Sequence, residues 1–157
     1  MTVLPIKFDC RGDLLLIKDF PKIYNEFQKY KSISSVHSRP NNSYQKQYVS
    51  LSPLLGRDRF NADDKQEIEL RREQLTHIHV KQKGCIWVDE DNDPLAQWEC
   101  TSNSYLIYSY FVHNGTRYYF IITFIDDNAH VHWEDEKLKS LWLRDAKEYR
   151  ISITKNQ

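Results

Sequence analysis

The stretch Tyr105–Ile125 constrains the fold of this chain more than any other. Tyr105 to Val112 and Thr116 to Ile125 are rich in β-branched and aromatic residues, and His113-Asn114-Gly115-Thr116 joins them. Asn-Gly readily accepts the positive φ angles of a tight hairpin turn, so the two arms are expected to pair antiparallel. The second arm, Tyr118-Tyr119-Phe120-Ile121-Ile122-Thr123-Phe124-Ile125, is apolar nearly throughout and predicts a central strand covered on both faces. Such a strand needs helices above and below it. Phe20, Ile23, Tyr24, Phe27 and Tyr30 recur at helical spacing behind a capping Asp19 and an early Pro21. From about Asp135 to Arg150 a second helix is predicted, with Leu138, Leu141, Trp142, Ala146 and Tyr149 on one stripe and Asp145 at its margin.

The remaining segments carry weaker signals. Apolar runs at 2–8 and 13–18, split by Cys10-Arg11-Gly12-Asp13, suggest a first strand or hairpin. Residues 32–52 read as a long polar surface loop with a short strand near Tyr48-Val49. Gly56 reads as a turn, with Arg57 and Asp58 either paired locally or offering a cation to phosphate. The alternation around Ile68 and Leu70 suggests a strand pairing with 75–81, and Cys85 to Val88 another short strand. Asp89-Glu90-Asp91-Asn92-Asp93 lacks the glycine and closing glutamate of a calcium loop and reads as a solvated acidic loop.

With 157 residues, 40% of them hydrophobic and only four glycines, one folded domain over 1–157 is expected and a disordered chain is excluded. Lys+Arg and Asp+Glu balance at 22 each, so any nucleic-acid contact must come from a local patch. Cys10, Cys85 and Cys100 show no CxxC spacing and fit reduced thiols. No signal-like or membrane-length apolar run occurs, so a cytoplasmic protein without membrane contact is expected.

Chemistry concentrates at Leu75-Thr76-His77-Ile78-His79-Val80-Lys81. Its period-two alternation predicts a strand with Thr76, Ile78 and Val80 on one face and His77, His79 and Lys81 on the other. A second His-x-His pair lies at His130/His132. Four converging imidazoles would suit zinc, but no carboxylate or cysteine stands at a diagnostic spacing beside them. No G-x-S-x-G and no phosphate-cradling glycine loop occurs. What is left is metal-free acid/base cleavage of RNA, with histidines moving protons and arginine or lysine stabilising the phosphorane. His77, His79 and His130 are the candidate proton carriers, with Arg57, Lys81 and Arg150 as cations. Read singly, each is equally a surface or core side chain.

The order of these features resembles the YafO family of type II toxins. The matching pieces are Glu26-Phe27-Gln28-Lys29-Tyr30-Lys31, Gly56-Arg57-Asp58, Thr76-His77-Ile78-His79-Val80, Tyr105-Leu106-Ile107-Tyr108, His130 and Ala146-Lys147-Glu148-Tyr149-Arg150. The resemblance implies an α+β, RelE-like fold, a mainly antiparallel twisted sheet with the N-terminal and C-terminal helices packed on it. It implies a ribosome-dependent mRNA interferase without a cofactor, neutralised by a cognate antitoxin. Carried onto this chain, His77, His79, His130 and Arg150 would be catalytic, and Arg57, Asp58, Lys81 and Tyr149 would bind substrate. Segment 32–52 and the acidic loop look like additions to the family pattern, and the zero net charge departs from it. The alternative is a non-enzymatic toxin acting on a protein target, which a neutral, tyrosine-rich surface would also suit.

Overall fold

The computed structural model describes residues 4–33, 40–60, 68 and 72–155. Its centre is a sheet of five strands: β1 (Ile6–Cys10), β2 (Leu55–Phe60), β3 (Thr76–Val80), β4 (Tyr105–His113) and β5 (Thr116–Ile125). They lie in the order β1-β5-β4-β3-β2, antiparallel everywhere except where β1 runs parallel to β5. The helices described over their whole length are α1 (Phe20–Ser32), the short α2 (Asn42–Gln47), the one-turn α3 (Ala129–Trp133) and α4 (Glu136–Thr154).

The Asn-Gly hairpin forms as the sequence predicts, with φ of 48° at Asn114 and 72° at Gly115. β5 is interior, and its alternate residues enter separate cores. Tyr119 and Ile121 join Phe20, Ile23, Phe27 and Tyr30 of α1 on one face. Phe120 and Ile122 join Trp133, Trp142, Leu143 and Ala146 of α3 and α4 on the other. Asp135 caps α4 by accepting from the N–H groups of Lys137 and Leu138. Leu141, assigned to the buried stripe, is instead exposed, and Leu143 is buried in its place. Asp145 does lie at the margin, 3.4 Å from Arg11.

Other expectations give way to long-range pairing. The N-terminal strand makes no hairpin; it crosses to the far edge beside β5. Within 32–52, the loop reading gives way at 42–47 to α2, capped by the Asn41 side chain, and Val49 makes an isolated bridge to Ala96. The strand expected around Ile68 and Leu70 lies largely outside the described residues; Ile68 is helical and exposed. β3 pairs antiparallel with β4 on one side and on the other with β2, the segment read as a turn. Cys85 to Val88 contributes only a bridge from Val88 to Pro94.

Gly56 serves close approach, not a turn. A Cβ there would sit 2.1 Å from the carbonyl oxygen of Cys100. The 3-10 turn Gln97–Glu99 and Cys100 can therefore press against β2, where the Arg57 N–H donates to Cys100 O at 2.9 Å. The pairing of β2 with β3 slips between Leu55 and Asp58. That bulge lets Leu55 and Asp58, three positions apart, both face α1. Arg57 and Arg59 then share the opposite face.

Candidate functional site

That opposite face of β2 and β3 is covered only in part by α3 and α4, and a cavity of roughly 280 Å³ remains. Strand register builds its floor. Arg59 lies opposite His77, and His79 opposite Tyr105. Arg57 and His79 complete the floor, the segment Thr101–Asn103 forms one rim, and α3 brings His130, Trp133 and Glu134 over the other. The Ala129 N–H donates to Asn103 O at 3.0 Å, holding the start of α3 to that rim.

Both strand histidines are buried, and β3 is covered on both faces. His77 stacks on Tyr105, with ring centres 4.4 Å apart and 20° between planes, and meets Trp133 at 4.4 Å. Burial, then repulsion from His79, Arg59, Lys139 and Arg57, holds its proton affinity well below that of ordinary histidine. His77 Nδ1 and Trp133 Nε1 are buried without a hydrogen-bond partner among the described residues. Unsatisfied donors and acceptors of that kind are costly in a core and useful beside a ligand.

His79 is lowered to about 4, by burial first and by the Arg57 charge next. Its Nδ1 accepts from the Ser102 N–H at 2.8 Å, which places the proton of the neutral ring on Nε2. The Ser102 carbonyl oxygen, 3.0 Å from the same nitrogen, works the other way and offers the cationic ring an acceptor. One residue's backbone thus gives Nδ1 a partner in either protonation state, and Nε2 is the atom left for chemistry. His130 is exposed on the rim. His132, two residues on, points its Nδ1 at Asn128 O, 2.8 Å away within its own helix, so the two His-x-His pairs do not converge. Among the described residues no group of three metal-ligating side chains forms.

Arg57 and Arg59 supply the positive charge. Arg57 lies over the Trp98 ring at 4.4 Å and donates through Nε to Trp98 O at 2.5 Å. No carboxylate among the described residues pairs with either arginine, and Glu134 is the acid lining the cavity. The chain as a whole is neutral, but this pocket is cationic.

Half of the sequence-predicted set converges here: Arg57, His77, His79 and His130. The others go elsewhere, for physical reasons. Asp58, expected to meet substrate, points to the α1 face, fully buried against Lys31. Arg150, expected on the phosphate, is held by both oxygens of Glu73 at 2.9 and 3.0 Å, tying the end of α4 to the chain just before β3. Tyr149, expected to stack on a base, stacks on Phe120 at 4.2 Å and belongs to the core. Lys81 lies past the end of β3, 5.7 Å from the Trp87 ring, and lines a different cavity. Sequence reasoning missed Arg59, Tyr105, Trp133 and Glu134. Arg59 had a signal: Arg57-x-Arg59 repeats the period of His77-x-His79, hidden by taking Gly56 as a turn.

Among comparisons with known proteins, a family model described as Toxin YafO, type II toxin-antitoxin system, matches residues 28–151. No curated protein and no solved structure matches.

Proposed function

Because the chain belongs to the YafO family of type II toxin–antitoxin system toxins, we propose that this cationic pocket cleaves mRNA on the ribosome by metal-free acid/base chemistry. A cognate antitoxin is the partner that membership implies. A RelE-like nuclease fold is part of the same reading. Among the described residues, no helix is long and apolar enough to cross a membrane.

The observation that carries the proposal is the meeting of Arg57, Arg59, His79 and His130 around one cavity. The two arginines suit the non-bridging oxygens of a phosphodiester, as fixed donors that need no rearrangement when charge develops. In this reading His130, on the exposed rim, takes the ribose 2′-hydroxyl proton. The 2′-oxygen then attacks phosphorus and the bond to the 5′-oxygen breaks. Free of ligand, His79 is neutral at physiological pH. A phosphate bound beside it offsets the arginine charges and raises its proton affinity, so it enters the reaction as the acid that protonates the departing 5′-oxygen. His77, sealed under Tyr105 and Trp133, positions the site and transfers no proton.

The test is an in vitro translation reaction with the purified protein, mapping mRNA ends by primer extension with and without ribosomes. New ends are expected only during translation, and His79→Ala and His130→Ala are each expected to lower cleavage by roughly 10²–10⁴. Unchanged cleavage in both variants overturns the assignment. Intact mRNA under growth inhibition points to a protein target.

A further inference from the structure

Resting on the RNA reading of the pocket, we infer that α2 and Trp98 form a second subsite, which holds the single-stranded RNA next to the scissile phosphate. Arg57 connects the two places physically. Its guanidinium belongs to the pocket and also lies 4.4 Å from the centre of the Trp98 ring. The same indole carries a second cation, the exposed Lys46 of α2, whose Nζ is 5.2 Å from the ring centre. Two positions before and after Lys46, Tyr44 and the C-cap Tyr48 stack on each other across one turn, with centres 4.5 Å apart. Tyr48 is 52% exposed.

Arg57, the Trp98 ring and Lys46 thus form a cation–aromatic–cation run, and α2 carries the tyrosine pair on its other flank. Tracking a flexible nucleic-acid strand needs this interleaving: lysine and arginine for the phosphates, and ring faces for bases of any identity. The helix is also firmly held. Gln45, between Tyr44 and Lys46, is buried and exchanges two hydrogen bonds with the backbone of Asp58, at 2.8 and 2.9 Å. The Gln97 N–H donates to Tyr48 O at 2.8 Å. α2 is therefore bolted to the same strand that carries Arg57 and Arg59. A purely structural α2 requires Gln45 but not an exposed lysine on the indole that also carries the cavity's arginine.

Affinity measurements with 2′-O-methyl RNA, which binds without being cut, test this. A dinucleotide reports on the pocket, and an oligonucleotide of about six residues reaches α2. The longer RNA is expected to bind about tenfold or more tightly than the dinucleotide. Lys46→Glu and Tyr48→Ala should each remove most of that gain and leave dinucleotide affinity unchanged. Lys46→Glu should also flatten the salt dependence for the longer RNA. If the longer RNA gains nothing, or its gain survives both substitutions, the subsite is overturned while the pocket stands. If the dinucleotide does not bind, or Arg59→Ala does not weaken it, the pocket reading falls and the subsite with it.

Discussion

Asp58 and its neighbours Arg57 and Arg59 share one strand and live in opposite electrostatic worlds. On the α1 face, Asp58 accepts from Lys31 Nζ at 2.7 Å, Tyr30 OH at 3.1 Å and Tyr108 OH at 2.6 Å, with no solvent access. Its backbone N–H and carbonyl are both taken by Gln45, and Gln97 donates to Tyr30 OH and Gly56 O. Burial lowers the Lys31 proton affinity while Asp58 opposes that shift, and four aromatic rings surround the ammonium within 6.0 Å. On the other face, burial and two arginines disfavour the charged form of two imidazoles, and among the described residues His77 Nδ1 is left without a partner. The first arrangement is complete and leaves no position for a ligand. The second is incomplete in a direction that an anion would complete.

Breaking the complete side should cost the most stability. Asp58→Ala strands Lys31 and two tyrosine hydroxyls in the core, and about 3–5 kcal/mol of unfolding free energy should be lost in urea titrations. A loss under about 1 kcal/mol would mean that water reaches this network and that the contrast between the faces is false.

Acid should act on the incomplete side. His79 is lowered in the folded protein to about 4 from the 6.5 of ordinary histidine. As pH falls, the unfolded chain therefore binds the proton first, and stability present above about pH 6.5 is lost progressively down to about pH 4. The His79 share is about 3 kcal/mol, and His77 adds in the same direction. Compared with wild type, His79→Gln should show a shallower fall across that window. Parallel curves would mean that His79 is not held neutral.

Arg59→Ala should matter least to stability, within about 0.5 kcal/mol, because no partner among the described residues is left stranded. Relief of repulsion on His77 and His79 should even raise acid stability slightly. RNA binding should fall at least tenfold in the same variant. A large stability loss with RNA binding intact would reverse the roles of the two faces.

Much of the frame was legible because its signals are short-range. The Asn-Gly pair dictates its own dihedrals, and the spacing of Phe20 to Tyr30 dictates a helix face whatever it packs against. β3 was legible for the same reason, since alternation survives translation into any sheet. Gly56 shows where local reading stops. A glycine signals turn or close approach equally well, and only the Cys100 carbonyl against it decides. Taking it as a turn hid β2, and with β2 the face on which Arg57 and Arg59 stand.

The sequence by itself determined α1, β3, the β4–β5 hairpin and α4, and that His77 and His79 share a face. Tertiary structure alone decided which charges would be satisfied. Arg150 meets Glu73 across 77 positions and Lys31 meets Asp58 across 27, distances over which no local periodicity constrains a pair. The bulge in β2 sets which of three consecutive charged residues faces inward to α1, and α3 sets which histidine reaches the cavity. Charge identity is written residue by residue, but whether a charge is neutralised or left for a ligand depends on what folds against it.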